Sequence, residues 1–229
     1  VTAGLLNSTE LYDPVLKTWT AGPNMFTLRA GHSAVLLADG RVLLSGGLSR
    51  DALGKPVTTT SCEIYDPRTN TMVRTASLPT AGTLGHRSTR LQDGTVLLCG
   101  GFSVNQNIAT GLTEATAFVY DPTFAKWASV ARMTQLRAFH GQALLPNGKV
   151  LVAGGVTSTG LNYVTVDSCE LYDPGLKSWA PAGKLGTTRA FAQTLLLDTG
   201  QVVVIGGTSG NPSLNAVLTS TELFFSSLR

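Results

Sequence analysis

The 229 residues are 43% apolar and only 14% charged, the composition of a chain that buries a large core, which excludes intrinsic disorder. The formal charge of +3 comes from scattered lysines and arginines with no basic run, which argues against nucleic acid as a partner. No apolar run approaches the ~20 residues of a membrane-spanning helix, and three cysteines (Cys62, Cys99 and Cys169) are too few for a disulfide framework.

In chain order, the first elements are a pair of strands around Tyr12-Asp13-Pro14, the second carrying Trp19. Next come Val35-Leu36-Leu37 and Val42-Leu43-Leu44, two short apolar runs on either side of Asp39-Gly40. Runs of this kind suit strands buried on both faces. The Asp-Gly step predicts a two-residue hairpin turn with positive φ. Gly46-Gly47 ends the second strand where a side chain would obstruct close backbone approach. A third strand, Ser61 to Tyr65, stops at Asp66-Pro67, because proline cannot donate to the ladder. A fourth strand carries Met72.

This order then recurs. Glycine pairs stand at Gly46-Gly47, Gly100-Gly101, Gly154-Gly155 and Gly206-Gly207, at steps of 54, 54 and 52 residues. Tyr12, Tyr65, Tyr120 and Tyr172 each precede Asp-Pro, and seven residues later come Trp19, Met72, Trp127 and Trp179. His32, His86 and His140 share one repeat position, as do Arg29, Arg137 and Arg189. The unit is a four-stranded antiparallel meander with no helical interruption. At a ~50-residue period that is a propeller blade.

The glycine pair, the Tyr and Trp seven residues apart and the period together resemble kelch repeats. The wording Asp-Gly-Arg-Val-Leu-Leu-Ser-Gly-Gly with Glu-Leu-Tyr-Asp-Pro is similar to bacterial kelch-type and galactose-oxidase-like propellers. The resemblance covers almost the whole chain and implies an all-β propeller. It also implies an extracellular or periplasmic setting, in line with the low charge and abundant Ser, Thr and Gly. Four departures stand out. Met72 replaces Trp, Thr83 replaces Arg, Phe118 stands where Glu10, Glu63, Glu170 and Glu222 otherwise sit, and the last strand lacks Asp-Pro.

One propeller over residues 1–229 is expected, with strands three and four of a first blade in 3–22. Blades follow at 27–75, 81–130 and 135–182, and strands one to three of a last blade at 187–226. Three closures are open. The N-terminal pair completes the last blade of a four-bladed ring, or the chain is an excerpt whose remaining blades come from a longer parent, or a second copy closes the ring. The start at Val1 instead of Met fits a processed chain or an excerpt, and the excerpt is the favoured expectation.

No residue set reads as catalytic, and no cofactor or metal is called for. Histidines repeating with the fold read as structural, bonding between blades. The cysteines read as small buried residues, so the likeness to the oxidase does not extend to its copper site. The tryptophans fit packing between blades. The second-to-third loops differ in every unit, and a rigid frame with variable loops on one side is where binding resides. Candidate ligand-binding residues there are Arg50, Asp51, Asn105, Asn107, Asn162, Tyr163, Asp167 and Asn211. Arg29, Arg137 and Arg189 open the first strands on the same face and are candidates for a cationic rim, with pairing to the repeat's Glu as the structural reading. The expected function is a non-catalytic module binding a protein or glycan. The alternatives are the propeller of an enzyme whose catalytic residues lie outside this chain, and a purely structural repeat of a secreted or surface protein.

Overall fold

The computed structural model describes residues 4–80, 82–105, 107, 111–159, 162–210 and 216–225. The described residues form strands and turns without a helix. Blade I is a four-stranded antiparallel sheet of Ser33–Leu36, Val42–Ser45, Cys62–Asp66 and Thr71–Thr75, paired in that order. Blade II repeats it with Arg87–Arg90, Val96–Cys99, Ala117–Asp121 and Lys126–Ser129. Blade III consists of Gly141–Leu144, Val150–Ala153, Ser168–Asp173 and Ser178–Lys184. Blade IV has three strands, Gln193–Leu196, Val202–Ile205 and Thr221–Phe224.

The innermost strands of successive blades pack side by side around a common axis, so the sheets are arranged as a β-propeller. The second strands Val96–Cys99 and Val150–Ala153 are buried along their whole length, as their unbroken apolar runs require. Alternation sends their side chains to opposite neighbours. Leu98 packs toward blade I with Leu43 and Ile64, while Leu97 and Cys99 pack toward blade III with Val150 and Val152. A third cluster joins blades III and IV through Leu151, Ala153, Val202 and Val204. The core therefore lies between blades, and each fully buried leucine contributes about 1.5–3 kcal/mol.

Two turn details correct the sequence reading. In the Asp-Gly turns only glycine has positive φ: Gly40 at 86°, Gly94 at 88°, Gly148 at 81° and Gly200 at 82°. The amide of Gly40 donates to Leu37 O and that of Leu37 to Arg41 O. This is a three-residue connection ending in a left-handed glycine, not a two-residue turn with both centres left-handed. Asp needs no unusual backbone there, so Thr199-Gly200 makes the same turn. The second-to-third connections, read as loops, contain short hairpins instead: Leu48–Arg50 with Pro56–Thr58, Phe102–Ser103 with Leu112–Thr113, Val156–Thr159 with Asn162–Thr165, and Thr208–Ser209 with Ala216–Val217.

The N-terminal strands Glu10–Asp13 and Thr18–Ala21 pair only with each other. Bonds such as Met25 N to Asn7 O and Arg29 N to Leu6 O tie them to the entrance of blade I. Among the described residues they do not join the sheet of blade IV, so the self-closed four-bladed ring is not what the structure shows. Trp19 is 65% exposed on this flank.

Candidate functional site

The repeat's polar residues divide into those that hold the blades together and those left on the surface. Arg29, Arg137 and Arg189 are buried, each in an ion pair with the blade's own glutamate: Glu63 at 2.6 Å, Glu170 at 2.9 Å and Glu222 at 2.6 Å. Arg137 also donates to Gly154 O at 2.6 Å and Ser168 O at 2.8 Å, joining the glycine pair to the third strand. Glu170 accepts from the amides of Thr134 and Gln135, which fixes the entry to the blade's first strand. With charge neutralised and donors turned inward, these arginines make no cationic rim. At Glu222, burial pushes the carboxyl up, but hydrogen bonds from Gly186 N–H, the Arg189 side chain and Thr187 N–H outweigh it and hold the group below its usual range.

The histidines bridge blades. His86 shares a hydrogen bond with Ser45 of blade I at 3.3 Å, and His140 lies 3.7 Å from the Cys99 thiol of blade II. The glycine pair makes room for this. A Cβ on Gly46 would lie 2.8 Å from His86 Cε1 and 2.7 Å from the Thr83 carbonyl oxygen. Burial lowers the His86 pKa to about 3 and sets that of His140 well below the usual value, so both rings are neutral at pH 7. Burial likewise pushes the thiols of Cys62 and Cys169 up to about 11, and that of Cys99 upward too, against a reactive thiolate. Trp127 and Trp179 donate their indole N–H to Ala76 O and Ala131 O of the preceding blade. Among the described residues no group of three His, Cys, Asp or Glu side chains is disposed to hold a metal ion.

On the face above the glycine pairs, the short hairpins are bonded sideways from blade to blade. Thr58 N donates to Val104 O and Val104 N to Thr58 Oγ1. Ser158 N donates to Thr113 Oγ1, and the Thr113 and Ser158 hydroxyls meet at 2.9 Å. Thr165 N donates to Gly210 O and Gly210 N to Thr165 Oγ1. The result is a continuous tier of backbone, fixed at its roots and variable at its tips.

No family-level sequence profile matches the chain. Kelch-like protein 33 of Homo sapiens is 31% identical over 136 residues, 58% of this chain and 24% of that protein. Kelch-like protein 38 of Rattus norvegicus is 26% identical over 191 residues, 80% of this chain and 29% of that protein. The solved "Structure of YjhT" superposes with a TM-score of 0.51 at 14% identity, covering 99% of this chain and 96% of that one, a likeness of fold. The chain thus spans about a quarter of the length of these curated relatives. Its blades are kelch repeats.

On this kelch frame the candidate loop residues fall into two groups. Some build the hairpins: Arg50 donates to Gly54 O, and Asp51 accepts from the amides of Leu53 and Lys55. Tyr163 packs on Phe102 and donates to Gly111 O, and Asp167 pairs with Lys184 at 3.3 Å. Asn105 lines a cleft of about 460 Å³ between the hairpins of blades I and II. Asn107 and Asn162 stand exposed on the same tier, and Asn211 lies outside the described residues.

Sequence reasoning missed an aromatic pair at the channel mouth. Phe139 and Phe191 have φ of 54° and 58° where the first two blades place Gly31 and Gly85. The four residues are linked around the axis, Gly85 N to Gly31 O, Phe139 N to Gly85 O and Phe191 N to Phe139 O. The rings stack at 4.4 Å, and Phe191 remains 46% exposed. The signal was present: two phenylalanines occupy a repeat position that elsewhere holds glycine.

On the opposite face, a cleft of about 470 Å³ between blades I and II is lined by Asp39, Asp93 and Asp121. Each aspartate accepts amides of its own turn, Arg41 N, Thr95 N and Thr123 N respectively. Those carboxylates are turn formers.

Proposed function

We propose that the chain is a non-catalytic protein-binding module that engages its partner through the hairpin face. The observation that carries this reading is the tier of hairpins, cross-linked at its roots by Thr58–Val104, Thr113–Ser158 and Thr165–Gly210. A surface pre-ordered in this way loses little conformational freedom on binding, while its tips differ from blade to blade. The likeness to Kelch-like proteins supports a recognition role, and the histidines and cysteines are spent on the joints between blades.

The test is site-specific photo-cross-linking. A photoreactive residue at Arg50 or Val164 on the hairpins should give one discrete adduct in an extract of the producing cells. The same residue at Lys17 or Phe124, in the turns of the opposite face, should give none. Equal adducts from both faces, or adducts from the turns alone, would overturn the assignment.

A further inference from the structure

We propose that the channel just inside the Phe139–Phe191 mouth binds a small carboxylate, held by Arg87. The inner strands of blades II, III and IV enclose a cavity of about 190 Å³ there, lined by Arg87, Ser88, Gly141, Gln142, Gln193 and Thr194 among others. Its lining holds one charged side chain, and that one is a cation. The Nε of Arg87 donates to the carbonyl of His140 in the next blade at 3.1 Å, which fixes the guanidinium plane. Its Nη groups meet no acceptor, and its charge no carboxylate, among the described residues.

Arg50, Arg74 and Arg90 likewise meet no carboxylate among the described residues, but none of them lines this cavity, and the remaining described arginines are ion-paired. Arg29, Arg137 and Arg189 are sealed against glutamates, Arg41 and Arg68 reach back to Asp39 and Asp66, and Arg132 pairs with Glu114. Arg87 is exposed at the cavity, with its Nε held by the next blade and its Nη groups facing open space.

Two further features shape the space. The residue after the repeat's histidine position is Ser33, Arg87, Gly141 and Gln193 in the four blades. Gly141 carries no side chain where Thr194 of the next blade packs, since a Cβ there would run into Thr194 Oγ1. One residue further along each strand, Ser88 Oγ, Gln142 Nε2 and Thr194 Oγ1 are buried without a hydrogen-bond partner. Gln142 is fixed through its oxygen, which accepts from the Cys99 thiol at 3.1 Å, so its NH₂ is the unused end. Buried polar groups in native proteins are overwhelmingly paired, and three unpaired ones backing a single cavity call for an acceptor-rich occupant.

One guanidinium fork with neutral donors matches a monovalent, planar oxyanion, and that is a carboxylate. An acidic side chain of a peptide and an acidic sugar both supply this chemistry. The proposal does not rest on the hairpin-face reading, because cross-linking from the tips does not involve Arg87.

The experiment titrates the full chain with four probes, followed by calorimetry and amide chemical shifts. They are N-acetylaspartate N-methylamide and galacturonate, with N-acetylasparagine N-methylamide and galactose as neutral counterparts. One acid should bind, its neutral counterpart should not, and affinity should fall as ionic strength rises. Which acid binds identifies the source. Arg87→Gln should weaken binding at least tenfold, while Arg90→Gln, in the same strand but outside the cavity, should leave it unchanged. If R87Q fails to fold, Gln193→Glu places a carboxylate beside Arg87 and should abolish binding by neutralising it. Binding by neither acid, equal binding by the neutral probes, or full affinity in both R87Q and Q193E would overturn the proposal.

Discussion

Blades II and III differ at one place that decides how a blade is closed. In blade III, Arg137 and Glu170 meet at 2.9 Å in the interior, joining the entry segment, the glycine pair and the third strand. In blade II the same two repeat positions hold Thr83 and Phe118, both buried. Thr83 Oγ1 bonds to Gly100 O at 3.3 Å, and Phe118 joins the core shared with blade I. The polar hub and the apolar plug give sheets with the same strand order. The charged version has its own cost, since the Nε atoms of Arg29, Arg137 and Arg189 are buried without an acceptor. A buried ion pair and a well-packed apolar substitute are often close in stability, whereas half of a pair is not. That explains why Thr83 and Phe118 depart from the repeat together.

The sharpest way to break the comparison is to convert blade III halfway. Arg137→Thr leaves Glu170 charged and buried, and is expected to cost about 3–5 kcal/mol of stability by denaturant unfolding. Glu170→Phe alone leaves Arg137 unpaired and should cost a similar amount. The double substitution R137T/E170F reproduces the chemistry of blade II and should recover most of the loss, a positive coupling of more than ~2 kcal/mol. Additive losses would show that the two blades are not closed by interchangeable means.

The joints between blades allow a second comparison. His86 and His140 bridge blades I–II and II–III, whereas at III–IV the corresponding residues are Ala153 and Ala192, packed in one cluster. A histidine whose folded pKa lies below its unfolded value near 6.5 keeps its full effect only while the solution pH is above 6.5. Below that the unfolded state binds the extra proton, so stability falls with falling pH, by about 1.4 kcal/mol per pH unit for each such ring. For His86 this continues down to its folded pKa of about 3. Hydrogen exchange from pH 7 to pH 5 should therefore show the I–II and II–III joints loosening before III–IV, with His140→Gln removing the pH dependence at II–III. Uniform loosening of all three joints would contradict the assignment.

How much of this was legible in the sequence follows from what each residue has to do. Glycine pairs, Tyr-Asp-Pro and the buried second strands recur because every blade needs the same backbone geometry, so period and fold could be read directly. Pairing of the repeat's Arg with its Glu could be read as the structural alternative to a cationic rim, because both recur at fixed positions, but the sequence carries no sign of the burial that decides between the two. The short hairpins were illegible because their strands are two to four residues long and share no pattern. The Asp-Gly turn was misread because the same dipeptide serves two turn types, which are told apart by the φ of Asp.

The smallest expected effect concerns the channel mouth, where blades I and II place glycine and blades III and IV place phenylalanine. A left-handed backbone costs a side-chain-bearing residue roughly 1–2 kcal/mol, and glycine almost nothing. Phe191→Gly relieves that strain but gives up the stack on Phe139, itself about 0.5–1.5 kcal/mol. The two nearly cancel, so F191G should melt within a few degrees of the parent chain. Phe191→Ala loses the ring and keeps the strain, and should be less stable than F191G by about 1 kcal/mol. In an interior position the larger alanine side chain would win over glycine; here the order is inverted because the backbone conformation decides it. If F191A instead proves the more stable of the two, the left-handed turn at the mouth is not imposed by the propeller, and the aromatic pair is ordinary packing.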